Sequence, residues 1–245
     1  LYSQQYIKLL AEVIDFKMRS IVTNRGGNTG YVTVKISGAL FESGMQAILK
    51  NDALGRITAS KIIFINSTSL YATFNLANVK IGEYTAVLIK SNNDSTLLLN
   101  SFKVNKGSIG QVADNGGPSG FYCHIQNIDA DEFLDLRSNV PPSVLPRRVF
   151  ATKITYGNSG DIDIAIQNYV LNCLTNVPVS ADPNEILSGL AQLLGGQLPS
   201  ALASMLLTLD EPGGADVLRP GYQNTKTIFS TVPFAGTYTY RLMQQ

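Results

Sequence analysis

His124, in the run Phe121-Tyr-Cys-His-Ile125, is the only histidine among 245 residues, and it carries the side chain whose ordinary titration lies nearest neutral pH. To act as a general base it would need a nucleophile and an orienting group brought to it from elsewhere in the chain. No G-x-S-x-G, H-E-x-x-H, C-x-x-C or P-loop pattern supplies them. The expected role of His124 is a polar strand residue near a domain junction, and the chain is expected not to be an enzyme. Asp129, Asp131, Glu132 and Asp135 form the densest acidic group. They can offer oxygen ligands to Ca²⁺, which takes about six to eight of them, although the EF-hand spacing with its central glycine is absent. Asp161 and Asp163 are expected to alternate on a strand and face one side, and Asp114 could add to a site at the junction. Calcium is the one cofactor these residues suggest, but a solvated acidic loop is the default reading. Cys123 and Cys173 either form a bridge worth roughly 3–4 kcal/mol or stay as two buried thiols.

The remaining candidates are surfaces. Tyr71, Phe74, Tyr84, Phe102, Phe150, Phe229, Tyr238 and Tyr240 fall at strand positions, where aromatic rings either pack a core or form a platform for sugars. Tryptophan, common in such platforms, is missing, so core packing is the better account. Asp182-Pro183-Asn184-Glu185 reads as a helix start, with an N-cap, a proline at the first helical position and an acid at the third. Ile186, Leu187, Leu190, Leu193 and Leu194 then line one stripe, which Gly195-Gly196 ends. Pro199 is expected to open a second helix running to about Leu207. The stripe, represented by Ile186, Leu190, Leu194, Leu202 and Met205, could dock a protein partner. The favoured reading is that it covers an exposed edge or face of the second sandwich. Asn66-Ser67-Thr68 and Asn93-Asp94-Ser95 match the N-glycosylation triplet, as an Asn-rich chain does by chance.

These residues must be positioned by strands. Tyr31-Val-Thr-Val-Lys-Ile-Ser37 alternates so that Val32, Val34 and Ile36 share a face. Gln46 to Lys50, Lys61 to Asn66, Leu70 to Leu76, Glu83 to Lys90 and Leu97 to Val104 follow, with turns every ~8–12 residues as in an antiparallel sandwich. Leu1 to Asp15 also alternates, and a first strand there is plausible. The Gly- and Asn-rich stretch 107–120 reads as a linker between a domain at 1–106 and a domain at 121–245. In the second, strands are expected at Phe121 to Ile128, Arg148 to Tyr156, Asp161 to Leu171, Thr225 to Val232 and Thr237 to Leu242, with a helical hairpin inserted at 182–209. Gly27-Asn28-Thr29-Gly30 is echoed by Gly157-Asn158-Ser159-Gly160, two turns that each precede an alternating run. Nineteen basic residues against 18 acidic give a net charge of +1, which argues against nucleic-acid or membrane-surface binding. The longest apolar stretch, Leu202 to Leu209, is far short of the ~20 residues that a span needs. The start at Leu1, with neither Met nor a signal-peptide pattern, reads as a processed chain or a piece of a longer one.

The succession Gly-Asn-Thr-Gly, Val-Thr-Val-Lys-Ile-Ser-Gly, Phe41-Glu-Ser-Gly44, Ala72-Thr-Phe-Asn-Leu76, Gly82-Glu-Tyr84 and Ser101-Phe-Lys-Val104 resembles the immunoglobulin-like (IPT/TIG-like) modules of large bacterial surface proteins. Leu145-Pro-Arg-Arg-Val-Phe150 through Asp161-Ile-Asp-Ile-Ala-Ile166, with Val217-Leu-Arg-Pro-Gly221 and Phe234-Ala-Gly-Thr-Tyr-Thr-Tyr240, is similar to CARDB-type adhesion domains. The helical insert departs from the short CARDB pattern. The resemblance implies a mainly β chain of two antiparallel Ig-like sandwiches, secreted or surface-anchored and without a catalytic motif. Such a pair would space or present neighbouring domains, or join in adhesion with a protein partner. The alternatives are a carbohydrate-binding module that grips a polysaccharide, or accessory domains of a secreted hydrolase.

Overall fold

The computed structural model describes residues 14–107, 121–129, 147–173, 177–195, 204–211, 216–232, 234 and 240–244. The chain is mainly β and divides into two compact units, Leu1–Lys106 and Gly107–Gln245.

Unit 1 contains β1 (Lys17–Val22), β2 (Arg25–Gly27), β3 (Tyr31–Ala39), β4 (Gln46–Asn51), β5 (Gly55–Thr58), β6 (Lys61–Asn66), β7 (Ser69–Asn75), β8 (Gly82–Ile89) and β9 (Ser95–Asn105). One sheet runs β1-β3-β7-β6 and the other β2-β9-β8-β4-β5. Every pairing is antiparallel except β2 with β9, which is parallel over Arg25–Lys103, Gly26–Val104 and Gly27–Asn105. The period-2 pattern sends Val32, Val34 and Ile36 of β3 and Leu70, Ala72 and Phe74 of β7 inward. There they meet Ala47 and Leu49 of β4, Tyr84, Ala86 and Leu88 of β8, and Phe102 and Val104 of β9 in a single core. The abundant asparagines close the turns. Asn51 Oδ1 accepts the N–H groups of Ala53 and Leu54, Asn75 Oδ1 that of Ala77, and Asn92 Oδ1 that of Asp94.

The pairing of β1 with β3 depends on Gly38. A Cβ there would sit 2.1 Å from the Lys17 carbonyl oxygen and 2.6 Å from the Phe41 ring. The ring can turn away, but the carbonyl belongs to the neighbouring strand, so β1 would have to leave its ladder. Gly38→Ala should therefore cost about 2–3 kcal/mol, read as a lower urea midpoint with an unchanged slope. A midpoint equal to that of the parent would show that β1 is not held there.

Unit 2 contains β10 (Phe121–Asp129), β11 (Val149–Asn158), β12 (Ile164–Ala165), β13 (Gln167–Cys173), β14 (Val179–Ser180), α1 (Pro183–Leu194), β15 (Ser204–Leu209), β16 (Val217–Leu218), β17 (Gln223–Thr231) and β18 (Tyr240–Gln244). Its sheets run β10-β11-β17-β14 and β15-β13-β18, with β12 paired to β16. Ile154, Tyr156, Leu171, Val179, Leu207, Leu209, Leu218 and Ile228 come from both larger sheets and the short pair and share one core.

The helical hairpin expected at 182–209 is half right. The first helix forms, and its start is reinforced: Asp182 Oδ1 accepts the Asn184 N–H, while the Asp182 N–H reaches Ser180 Oγ, which donates to Glu185 Oε2. Of the second helix, expected from Pro199 to about Leu207, residues 199–203 lie outside the described residues and the rest is not helical: Ser204–Leu209 is strand β15, paired antiparallel with β13. Leu207 and Leu209 are buried, while Leu206 just before them is 58% exposed and Thr208 between them is half-buried, so the segment follows a period of two once β13 offers it a ladder. Asp161 and Asp163 also move: they lie in the turn between β11 and β12, not on a strand.

Candidate functional site

Among the described residues the densest polar constellation lies where the ends of β11, β15 and β16 meet the start of β17. Arg219 follows β16 and Glu211 follows β15, and their side chains are 5% and 4% exposed. Arg219 Nε donates to Glu211 Oε1 at 2.9 Å and Oε2 at 2.7 Å, and Nη2 donates to Oε1 at 2.5 Å, a forked pair. Beside it, the fully buried Tyr156 donates from its hydroxyl to the Asp210 carbonyl at 2.6 Å and accepts from Asn224 Nδ2 at 3.3 Å. The β11–β17 register sets Tyr156 directly opposite Asn224. The Tyr222 ring meets that of Tyr156 edge-on, with centroids 6.5 Å apart. Lys226 Nζ donates to Asp210 Oδ1 at 2.7 Å and to the Thr208 carbonyl.

Each group that could do chemistry here is engaged. Glu211 holds Arg219, and Asp210 holds Lys226. Burial and then the neighbouring Tyr222 push the Tyr156 phenol well above its ordinary 10.0. Burial and then the Glu211 carboxylate raise Tyr222. Both phenols stay neutral through the physiological range, so the arrangement fastens residues 208–211 and 219–226 to the sheet. It implies an alkaline weakness. In the unfolded chain the phenols ionise at their ordinary value, below their folded one, so their contribution is complete below pH 10.0 and is lost as pH rises above it. The stability of unit 2 should fall above about pH 10 by up to ~1.4 kcal/mol per pH unit for each such phenol, and less steeply in Tyr156→Phe. Urea midpoints that stay level to about pH 11 would contradict this.

A second surface lies on the outward face of the β2-β9-β8-β4-β5 sheet. Ile48, Val87 and Leu97 stand in one cross-strand row. Ile48 is buried among its neighbours, whereas Leu97 is 55% exposed and Leu99, two residues along β9, is 71% exposed.

The residues expected to carry function are placed as follows. His124 lies on β10 opposite Thr155, and Asp129 ends that strand opposite Phe150. Asp131, Glu132, Asp135, Asp114 and Leu202 fall outside the described residues. Among the described residues no group of three or more His, Cys, Asp or Glu is placed to hold a metal. Cys123 pairs opposite Tyr156 and Cys173 opposite Tyr240, on strands of different sheets. Ile186 is buried and anchors α1, which packs against β17 and β14, while Leu187 and Leu194 are exposed. Leu190 lies on α1 between them. Met205 stands opposite Leu171 within a ladder and packs against the core of unit 2. The Arg219–Glu211 pair and Tyr156 have no motif that announces them; in the sequence, the run Asp210-Glu-Pro-Gly-Gly214 marks only where the pair begins.

No family model matches this chain, and no curated protein matches it. Among solved structures, one from Corynebacterium diphtheriae described as a "putative membrane anchored protein" aligns over 94% of this chain and 54% of its own, at 8% identity and a TM-score of 0.29. The chain thus spans about half the length of that structure. Among the described residues no helix is long and apolar enough to cross a membrane.

Proposed function

We propose that the chain is a non-catalytic pair of extracellular β-sandwich modules that space or present neighbouring domains, and that its first unit resists tension. The strand orders of unit 1 support an immunoglobulin-like sandwich: β1-β3-β7-β6 corresponds to the ABED sheet, and β9-β8-β4 to GFC, with β5 added beyond β4. At the start of β8 the buried Tyr84 donates from its hydroxyl to the Lys80 carbonyl, four residues upstream, at 2.9 Å. That is the geometry of the tyrosine corner of immunoglobulin-like domains. The CARDB-like reading of unit 2 rests on sequence resemblance and on its antiparallel sheets around one core.

The observation that carries the tension reading is the parallel pairing of β2 with β9. It joins the strand near the entry of unit 1 to the strand at its exit. The ladder is extended by Lys103 N–H to the Asn24 carbonyl at 2.9 Å and Asn28 N–H to the Asn105 carbonyl at 3.1 Å. Force on the two ends loads these bonds side by side instead of one after another. Contact with a protein partner is assigned to the Leu97 and Leu99 face, the most exposed apolar surface of unit 1.

Sugar binding would favour a row of exposed tyrosines. Among the described tyrosines Tyr31 is exposed, while Tyr71, Tyr84 and Tyr156 are buried. A panel of immobilised polysaccharides, with calcium and with chelator, separates the two readings. The expected result is no saturable binding. Saturable binding to one sugar class would replace the spacer reading with a carbohydrate-binding one, and sensitivity to chelator would direct attention to the acidic group that begins at Asp129.

A further inference from the structure

The β6–β7 hairpin turns through Ser67-Thr68, and Asn66 ends β6 opposite Ser69. Residues 64–68 are all exposed. The carbonyls of the turn are nonetheless pinned, because Thr68 O accepts the Gly38 N–H and Ser67 O the Phe41 N–H, both at 2.9 Å. Within this fixed tip Asn66 Oδ1 accepts two bonds from Thr68, one from its N–H at 2.9 Å and one from its hydroxyl at 2.8 Å. Among the described residues nothing engages Asn66 Nδ2, which faces solvent. The same triplet at Asn93-Asp94-Ser95 is built differently. Asn93 has a left-handed backbone with φ of 69°, and the Asp94 N–H bonds to Asn92 Oδ1. Among the described residues no hydrogen bond joins Ser95 to Asn93.

We propose that Asn66 is an acceptor for N-linked glycosylation and that Asn93 is not. An amide nitrogen is a poor nucleophile because its lone pair is delocalised into the carbonyl. A hydroxyl donating to the amide oxygen stabilises the imidate left when Nδ2 gives up a proton, and the imidate is the nucleophilic form. Thr68 supplies that donor at Asn66 before any enzyme is bound. In the transfer, Asn66 Nδ2 attacks the anomeric carbon of a sugar activated on a phosphate. The N–C bond forms, the C–O bond breaks with its electron pair leaving on the phosphate, and the amide proton passes to a base of the enzyme. Nothing is oxidised or reduced. Phe64 and Ile65, exposed just before the acceptor, offer apolar surface that the first sugar would cover.

The proposal rests on the extracellular reading only in that the acceptor must meet a glycosylating enzyme. Because neither the polysaccharide panel nor the tension reading involves Asn66, failure of one leaves the other standing. In one arm the full chain is incubated with membranes holding an N-oligosaccharyltransferase and its lipid-pyrophosphate-linked oligosaccharide. In the other it meets a soluble N-glycosyltransferase with a nucleotide sugar. Intact mass and peptide mapping should find one glycan, on Asn66, in at least one arm, and the arm identifies the donor. Asn66→Gln should abolish it. Thr68→Val should slow it by about tenfold, the loss of one hydrogen bond, while Thr68→Ser keeps the hydroxyl and stays near the parental rate. An unmodified chain in both arms, with a free Asn-x-Thr peptide modified beside it, would overturn the proposal. So would a glycan on Asn93 in place of Asn66, or a parental rate in Thr68→Val.

Discussion

Arg219→Met should destabilise unit 2 by about 3–5 kcal/mol, because it leaves the Glu211 carboxylate buried without its partner cation. The mutant side chain fills most of the same volume, so the loss is electrostatic in origin and not a cavity effect. Removing both charges is a different experiment. Glu211→Leu combined with Arg219→Met trades a desolvated ion pair for apolar contacts, and such exchanges are often neutral or stabilising. The double variant should therefore recover most of what the single one loses, and the urea midpoints of the parent, the two single variants Arg219→Met and Glu211→Leu, and the double variant give the coupling directly. If the single and double variants lose the same stability, the pair is not the fastening that its three short bonds suggest.

Asn158→Ala should cost unit 2 about 2–4 kcal/mol, as three backbone groups, one buried and two half-buried, lose their partner at once. Asn158 is almost fully buried at the end of β11. Its Nδ2 donates to the carbonyls of Ile162 and Leu218, both at 2.8 Å, and its Oδ1 accepts the Gly160 N–H at 2.8 Å. Its backbone joins the same corner through Tyr222 O and Gly221 N. Asn158→Asp keeps the shape but turns an oxygen toward two carbonyl oxygens, so it should be at least as damaging at neutral pH. A loss below about 1 kcal/mol in Asn158→Ala would mean that water replaces the amide easily and the corner is open.

The two halves of the chain were unequally legible. In unit 1 the alternation Val32, Val34, Ile36 and the Asn-rich breaks between runs place β3, β4, β6, β7, β8 and β9 almost where they form, since a half-buried strand writes its period into its composition. β1, β2 and β5 were not legible, because short strands at sheet edges carry no clear period of their own; the first strand was expected earlier, over Leu1 to Asp15, of which residues 1–13 lie outside the described residues. The echo of Gly-Asn-Thr/Ser-Gly marks two corners with a shared job: Asn28 Nδ2 donates to the Val79 carbonyl much as Asn158 Nδ2 does to its pair. In unit 2 the capping signals at Asp182 and Glu185 are local, and they located α1. β15 was misread because a leucine-rich run of six fits a helix as well as a strand, and only β13 decides between them. The Arg219–Glu211 pair is a tertiary choice between two side chains whose neighbours in sequence say nothing of burial.

If unit 1 resists tension, pulling the full chain by its ends in a single-molecule force experiment will show it. Parallel β2 and β9 should hold until their bonds fail together, giving a discrete force peak followed by release of roughly 30 nm of chain as β1 to β9 unravel. Lys103→Pro deletes the N–H that reaches Asn24 O and should lower that peak. Extension of unit 1 without a discrete peak, or a peak of unchanged height in Lys103→Pro, would contradict the account.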